Sequence, residues 1–203
     1  MKITSIKQQA KNPQRVSLFV QGKYGFSLSL DELVKYKLKN GAELSVADVK
    51  KFKKISADGK LRARVFEWLL SRPRSERELR DYLYRKKAEP EQTQGLVDEF
   101  TKKGYLDNVK FATWFSELQA RRGKSDRAIR AELFSKGIGR EAASQTLSEL
   151  QTAEEERLKT VIAKKRKLSR YQNDPQKLAK YLTSQGFSYY LVKEVLDLGY
   201  LED

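Results

Sequence analysis

The sequence has no cysteine and no histidine among its 203 residues. Without cysteine there are no disulfides, no zinc–thiolate sites and no thiol nucleophiles. Without histidine the commonest general base, the serine–histidine nucleophile systems and imidazole metal ligands are gone as well. An enzyme made from this chain would be confined to carboxylate, lysine or tyrosine chemistry, and no constellation of such residues stands out. Glu154-Glu155-Glu156 is the densest acidic run, but three consecutive helical residues point in different directions and cannot converge on one ion. The expectation is therefore no catalytic residue, no metal and no cofactor. Long apolar runs are missing too: nothing approaches the roughly 18 residues that a membrane span needs. The start, MKITSIKQQAKNPQ, lacks the apolar stretch of a signal peptide, so a cytoplasmic location is expected.

What is present is positive charge. Lys and Arg number 42 against 27 Asp and Glu, a net charge of +15. An excess of that size implies an acidic partner, whether nucleic acid, an acidic protein face or a membrane surface. It is unevenly spread: residues 1–60 carry thirteen basic and five acidic side chains, residues 61–108 eleven and nine, residues 109–155 eight and seven, and residues 156–203 ten and six. Hydrophobic residues make up 39%, enough for narrow helical stripes rather than a thick central sheet.

The first thirty residues alternate with period two. Val16, Leu18 and Val20 share a face, and after Gln21-Gly22-Lys23 the pattern resumes with Tyr24, Phe26 and Leu28, which predicts a β-hairpin. KITSIKQQ is a candidate third strand. Ser29 and Glu32 then form a capping box ahead of Leu33, Val34 and Leu38, with Asn40-Gly41 as the expected stop. A second short helix is expected after Ser45, carrying Val46, Val49, Phe52 and Ile55 and ending at Asp58-Gly59. A β-hairpin-plus-helix module is thus assigned to 1–58.

From Lys60 onward the period is helical and the pattern repeats. Ser75 (in a capping box with Glu78), Ser125 and Asp174 each open a helix, and the apolar pairs Leu79/Leu83, Ile129/Leu133 and Leu178/Leu182 follow in register. Helices are expected before and after each, giving three-helix repeats at 59–108, 109–155 and 156–203, stacked in an elongated array because a fifty-residue bundle is marginal alone. The fold class is mainly α, preceded by the small N-terminal module. GYLDN at 104–108 and GYLED at 199–203 read as full stops, with Gly104 and Gly199 as left-handed caps and Tyr-Leu closing over the bundle. The second repeat has no such stop: no glycine or proline interrupts 141–168, so its third helix is expected to run on into the next repeat.

At this point the chain resembles the RecX family, bacterial regulators of the RecA recombinase. GYLDNVKFATWF at 104–115, leading into RRGKSDRAIRAELFSKGI at 121–138, looks like the family signature. RPRSERELRDYLYRK at 72–86 looks like its first repeat, and YGFSLSLDELVKYKLKNG at 24–41 is similar to the N-terminal region of some members. The turn in RKKAEPEQTQG reads as longer than its counterparts SKGIGRE and SQGFSY, and Gln94-Gly95 weakens the helix after it. The resemblance implies a monomeric, non-enzymatic protein that lies along RecA filaments on single-stranded DNA. It further implies inhibition of ATP hydrolysis and strand exchange, a place in recombination, DNA repair and the SOS response, and weak, sequence-indifferent contact with single- and double-stranded DNA. No membrane partner is expected.

Candidate partner-binding residues follow from the charge pattern. Arg121, Arg122, Lys124, Arg127 and Arg130 gather where two helices meet, and the helix opening at Ser125 adds an N-terminus that favours an anion. Arg72 and Arg74 occupy the equivalent corner one repeat earlier. Lys164, Lys165, Arg166 and Lys167 form a run that suits phosphates or an acidic protein face and equally suits a solvated helix. Trp68, Trp114 and Tyr82 are of the type that stacks bases, yet they sit on or beside apolar stripes and read as packing residues. The alternative to a RecA regulator is a stand-alone helix-turn-helix DNA reader. Similarity across three successive units favours an array over one recognition helix.

Overall fold

The period-two segments pair as expected: β1 (Ile3–Gln9), β2 (Asn12–Val20) and β3 (Lys23–Ser29) form an antiparallel sheet in that order. The exception is a register shift between Leu18 and Phe19, which pairs Tyr24 with Phe19 and turns it away from the face of Phe26 and Leu28 on which it was expected. The computed structural model describes residues 1–150 and 152–197. Two compact units make up the chain, one ending at Ser71 and the other beginning at Arg72. It is mainly helical, with the small sheet first. Gln21 and Gly22, at φ 52° and 80°, make the two-residue turn. Both lie in the left-handed region that suits the twist of a hairpin. Val16, Leu18, Val20, Phe26 and Leu28 point to one side and bury against Phe52 of α2 (Val46–Leu70).

Both edges of the sheet are covered, which matters because bare edges invite further pairing. The Ser27 amide on β3 donates to Ser56 Oγ of α2 at 3.1 Å. On the β1 side, the Ile3 amide donates to the Ala42 carbonyl and the Gly41 amide to the Ile3 carbonyl, each at 2.9 Å. Gly41, at φ 83°, therefore turns the chain back onto β1 and does not end a helix. The helix that Ser29 and Glu32 do open, α1 (Leu30–Lys35), stops earlier than expected. Lys37 adopts φ 50° there, and the amides of Lys37 and Leu38 close on the carbonyls of Val34 and Leu33.

The stop expected at Asp58-Gly59 is absent as well, because α2 runs unbroken from Val46 to Leu70 behind the Ser45–Asp48 capping box. Gly59 has another use: a Cβ there would lie 3.1 Å from Nη1 of Arg15. Arg15 is buried, with Nη2 donating to the Ser27 carbonyl at 3.1 Å. Glycine makes room for a guanidinium and leaves the helix intact. Leu61, Val65 and Trp68, read as the first helix of a repeat, are the second half of this same helix.

In the second unit the helices are α3 (Glu76–Arg85), α4 (Pro90–Lys102), α5 (Asn108–Arg121), α6 (Asp126–Ser135), α7 (Arg140–Ser148), α8 (Glu154–Arg166), α9 (Ser169–Gln172), α10 (Pro175–Ser184) and α11 (Tyr189–Leu196). One buried cluster is built from α5–α7, around Phe111, Ile129 and Leu147, and a separate one from α8–α11, around Leu158, Leu178 and Val192. Ser75, Ser125 and Asp174 all cap their helices, accepting from the amides of Glu78, Ala128 and Lys177. The capping box expected at Ser75 is only half made. The Glu78 carboxylate turns instead to Arg72, at 3.0 and 3.1 Å, and to Lys136 of the next repeat at 3.1 Å.

The turns after α3, α6 and α10 are equal in length, at 86–89, 136–139 and 185–188. The longer turn expected in the first is not there, and Gln94 and Gly95 lie inside α4. Each turn has one left-handed residue, namely Lys87, Gly137 and Gly186, at φ 57°, 81° and 93°. Lysine holds a position that glycine fills twice, which hid the equivalence. After α4, Gly104 at φ 71° behaves as expected. Its amide reaches the Thr101 carbonyl, the Tyr105 amide reaches Phe100, Leu106 is buried, and the Tyr105 ring sits edge-on to Phe100 at 6.4 Å. Gly199, Tyr200 and Leu201 lie outside the described residues.

The continuous helix expected across 141–168 is instead broken between α7 and α8. Tertiary bonds outweigh local propensity. Leu150 packs on the core of its own repeat, Arg157 Nη1 donates to the Thr152 carbonyl at 2.5 Å, and Glu154 Oε1 accepts from the Asp126 amide at 2.8 Å. That last bond recurs: Asn108 Oδ1 accepts from the Glu76 amide at 2.9 Å. So the first residue of α5 serves the N-terminus of α3, and the first residue of α8 serves that of α6, supplying acceptors for donors a helix leaves unpaired. At the matching place α10 has Pro175, which has no N–H to donate. The turns dock in the same sense. A Cβ on Gly137 would lie 3.0 Å from Arg77 Cβ, and one on Gly186 would lie 2.6 Å from Ser125 Oγ, which donates to the Gln185 carbonyl at 2.9 Å. No helix among the described residues is long and apolar enough to cross a membrane.

Two outcomes follow for stability measured by urea denaturation. Lys87→Gly should stabilise by roughly 0.5–1 kcal/mol by removing a left-handed lysine, whereas Gly186→Ala should destabilise by more than about 1 kcal/mol, through backbone strain and contact with Ser125. Equal effects of the two would contradict the equivalence of these turns. For Glu78, burial raises the carboxyl, but the bonds and charges of Arg72 and Lys136 outweigh it and hold the pKa below its ordinary value. Its contribution is therefore present above the unfolded pKa of about 4.3 and lost as pH falls through the lower folded value. Glu78→Gln should cost about 1–2 kcal/mol at neutral pH and should flatten the acid limb of the stability–pH curve.

Candidate functional site

Two helix ends and one turn form the walls of a cleft of about 730 Å³ in the second unit. The C-terminal end of α5 contributes Arg121 and Arg122, and the loop after it contributes Lys124. Opposite stand Lys164 and Lys165 from the last turn of α8, and Val161, Tyr181 and Phe187 supply apolar lining. The approach of α5 to α8 depends on Gly123: its φ is 77°, and a Cβ would lie 2.6 Å from Val161 Cγ2. Basic groups separated by some forty residues in sequence thus share one concavity.

The cations are not equally available. Arg121 bonds Glu117 at 3.3 Å yet remains largely exposed, and Lys124 is paired with Glu132. Lys165 lies 4.7 Å from the centre of the Tyr181 ring, which in turn packs at 5.4 Å against Tyr171. Arg122 and Lys164 have no ion-pair partner among the described residues. They are the charges most open to a ligand.

Of the other candidates, Arg127 is exposed and Arg130 half-buried on α6, and both lie outside the cleft lining. Arg166 and Lys167 are exposed and also outside it. Arg72 does not form a second open corner: it is clamped by Glu78 and stacked 5.0 Å from the Trp114 ring, so its role is to join two repeats. For Arg74, burial and the neighbouring Arg72 charge push the guanidinium pKa below its ordinary value. Trp114 packs against the core of its repeat, Trp68 is half-buried in α2, and Tyr82 is half-buried beneath Lys86 at 5.5 Å.

Arg157 is the residue that sequence reading missed. It is 3% exposed, forms an ion pair with Asp126, and donates to the carbonyls of Thr152 and of Lys124, the latter at 3.2 Å. Its guanidinium fastens the floor of the cleft to both repeats. The one signal was a charged residue beside Leu158 on an apolar stripe. Burial pushes the Glu154 carboxyl above its ordinary range despite the bond from the Asp126 amide. Among the described residues no cluster of carboxylates could hold a metal ion. The N-termini of α3 and α6, which would lead into a DNA groove in a helix-turn-helix protein, are occupied by Asn108 and Glu154.

A family model described as the Regulatory protein RecX N-terminal domain matches residues 1–45. A Regulatory protein RecX from Listeria innocua is 33% identical over 195 residues, covering 93% of this chain and 72% of the relative. Another from Lactobacillus johnsonii is 31% identical, covering 99% and 77%. Among solved structures, a crystal structure of regulatory protein RecX superposes with a TM-score of 0.71 at 24% identity, over 97% of this chain and 98% of that one. RecX from Lactobacillus salivarius superposes at 0.59 over 69% of this chain and 94% of that one, at 18% identity. With a shared fold along nearly its whole length and a third of its residues identical to a curated relative, the chain belongs to the RecX family of regulatory proteins.

Proposed function

We propose that this protein is a cytoplasmic, non-enzymatic regulator that engages filaments of the RecA recombinase on DNA and lowers their ATPase and strand-exchange activity. The observation that carries the reading is the convergence of Arg121, Arg122 and Lys124 with Lys164 and Lys165 in one cleft. Such a cleft suits an acidic surface of a filament subunit, or the phosphates of the DNA that the subunits enclose. Arg122 and Lys164, without an ion-pair partner among the described residues, meet it at little cost in broken ion pairs. Net charge supports the same reading, since an excess of +15 speeds encounter with an acidic polymer. A protein seated between subunits hinders the motions that hydrolysis requires.

The test is RecA's DNA-dependent ATPase at fixed salt. Added protein should reduce it at or below one molecule per RecA, and the reductions should be accompanied by slower strand exchange. No change in ATPase, strand exchange or filament length would overturn the reading, and a sequence-specific footprint on duplex DNA without RecA would favour a stand-alone DNA reader. Reversing charge at Arg121, Arg122 and Lys164 together should raise the half-inhibitory concentration about tenfold or more, at about 0.5–1 kcal/mol per exposed contact, with helicity unchanged. Unaltered inhibition by that variant would remove the cleft from consideration.

A further inference from the structure

The outer face of the N-terminal sheet carries a line of groups that the fold does not need. Along β2, Leu18 and Val20 bury inward, so Phe19 between them faces out. Its cross-strand partner on β3 is Tyr24, which therefore shares that face. The two rings meet edge-on at 6.2 Å, with planes 84° apart. Neither belongs to the buried cluster beneath the sheet, and Tyr24 is 52% exposed. Lysines flank them on both sides: Lys7 Nζ is 5.5 Å from the Phe19 ring centre, and Lys60 Nζ is 5.9 Å from that of Tyr24. Elsewhere on this face Gln9 bonds Ser17 at 3.0 Å, while Arg15 and Ser27 are buried against Ser56 and Gly59 of α2.

Lys60 also belongs to a row on α2. Lys53, Lys60 and Arg64 stand at i, i+7 and i+11, on one face of the helix, and all three are exposed. A pair of outward rings, an adjoining polar surface and a basic row beside them form a combination with a specific fit. Duplex DNA offers phosphates but keeps its base faces stacked internally. An acidic peptide offers charge but has no flat π surface to match the rings. A single nucleic-acid strand has both, with bases for the rings and phosphates for the row.

We infer that the outer face of the β1–β3 sheet is a binding site for single-stranded nucleic acid. Bases stack on Phe19 and Tyr24 as Lys7 and Lys60 swing from the rings to the phosphates, and Lys53 and Arg64 extend the contact along α2. This goes beyond the proposed function and does not depend on it, since no RecA is required.

The experiment is fluorescence anisotropy of a labelled oligothymidine of about 20 nucleotides with the full chain, across a salt series. The paired substitution Phe19→Leu and Tyr24→Leu keeps apolar bulk and removes the rings. It should weaken single-strand binding about tenfold or more with the salt slope unchanged, at unaltered melting temperature. Tyr24→Leu alone, at the more exposed ring, serves if the pair fails to fold. Lys53→Gln with Lys60→Gln should instead reduce the salt slope, by about 0.7 for each phosphate that is no longer neutralised. Wild-type affinity in the ring variants would overturn the inference. So would a duplex of the same length bound as tightly, or competition by polyglutamate at matched charge. Loss of binding only on reversing Arg121, Arg122 and Lys164 would likewise overturn it and place the strand in the cleft. Because the assay contains no RecA, its failure leaves the ATPase result standing, and the reverse holds too.

Discussion

A helix begins with amide donors that its own backbone cannot satisfy, and in this protein the neighbouring repeat supplies part of the answer. Asn108 and Glu154, each the first residue of a following helix, accept the amide of the first residue in α3 and α6. Everything else at the repeat boundary is consistent with that placement. Gly186 has to lack a side chain because Ser125 is pressed against it, and α7 has to stop because Glu154 must reach back to Asp126. Arg157 can be buried because Asp126 and two carbonyls are waiting for it. A lone buried guanidinium would be costly; a guanidinium with an ion pair and two carbonyl acceptors is a fastening.

Local chemistry was legible in the residues. The hairpin turn at Gln21-Gly22, the capping serines at 29, 45, 75 and 125, and the left-handed Gly104 all do what their types suggest. What misled was punctuation with a second use. Gly59 looks like a helix stop, yet the helix passes through it, because its missing side chain accommodates Arg15. Lys87 looks like an ordinary surface residue, yet it occupies the left-handed corner that glycine takes in the later repeats. The break before α8 has no glycine or proline to announce it, since it is held by contacts from elsewhere in the fold. In each case the deciding partner is distant in sequence.

The candidate surface shows the same division. Each cation of the cleft was visible as a charge, but only the fold brings the end of α5 to the end of α8, and it does so through a glycine chosen for proximity to Val161. The fold also withdraws candidates: Arg72, equivalent by spacing to the open Arg122, is committed to Glu78 and Trp114. Equivalent positions in a repeat protein need not keep equivalent duties. One corner is a joint and its successor is open among the described residues, and that asymmetry distinguishes one location on an otherwise periodic surface.

Pro175 carries a further implication. In a periodic stack each unit passes an instruction to the next by offering a backbone donor at the head of its middle helix, and the reply arrives from the first residue of the unit that follows. Proline at that position is silent. The bond made at the head of α3 and of α6 therefore has no counterpart at the head of α10, where only other contacts can set the register of a neighbour.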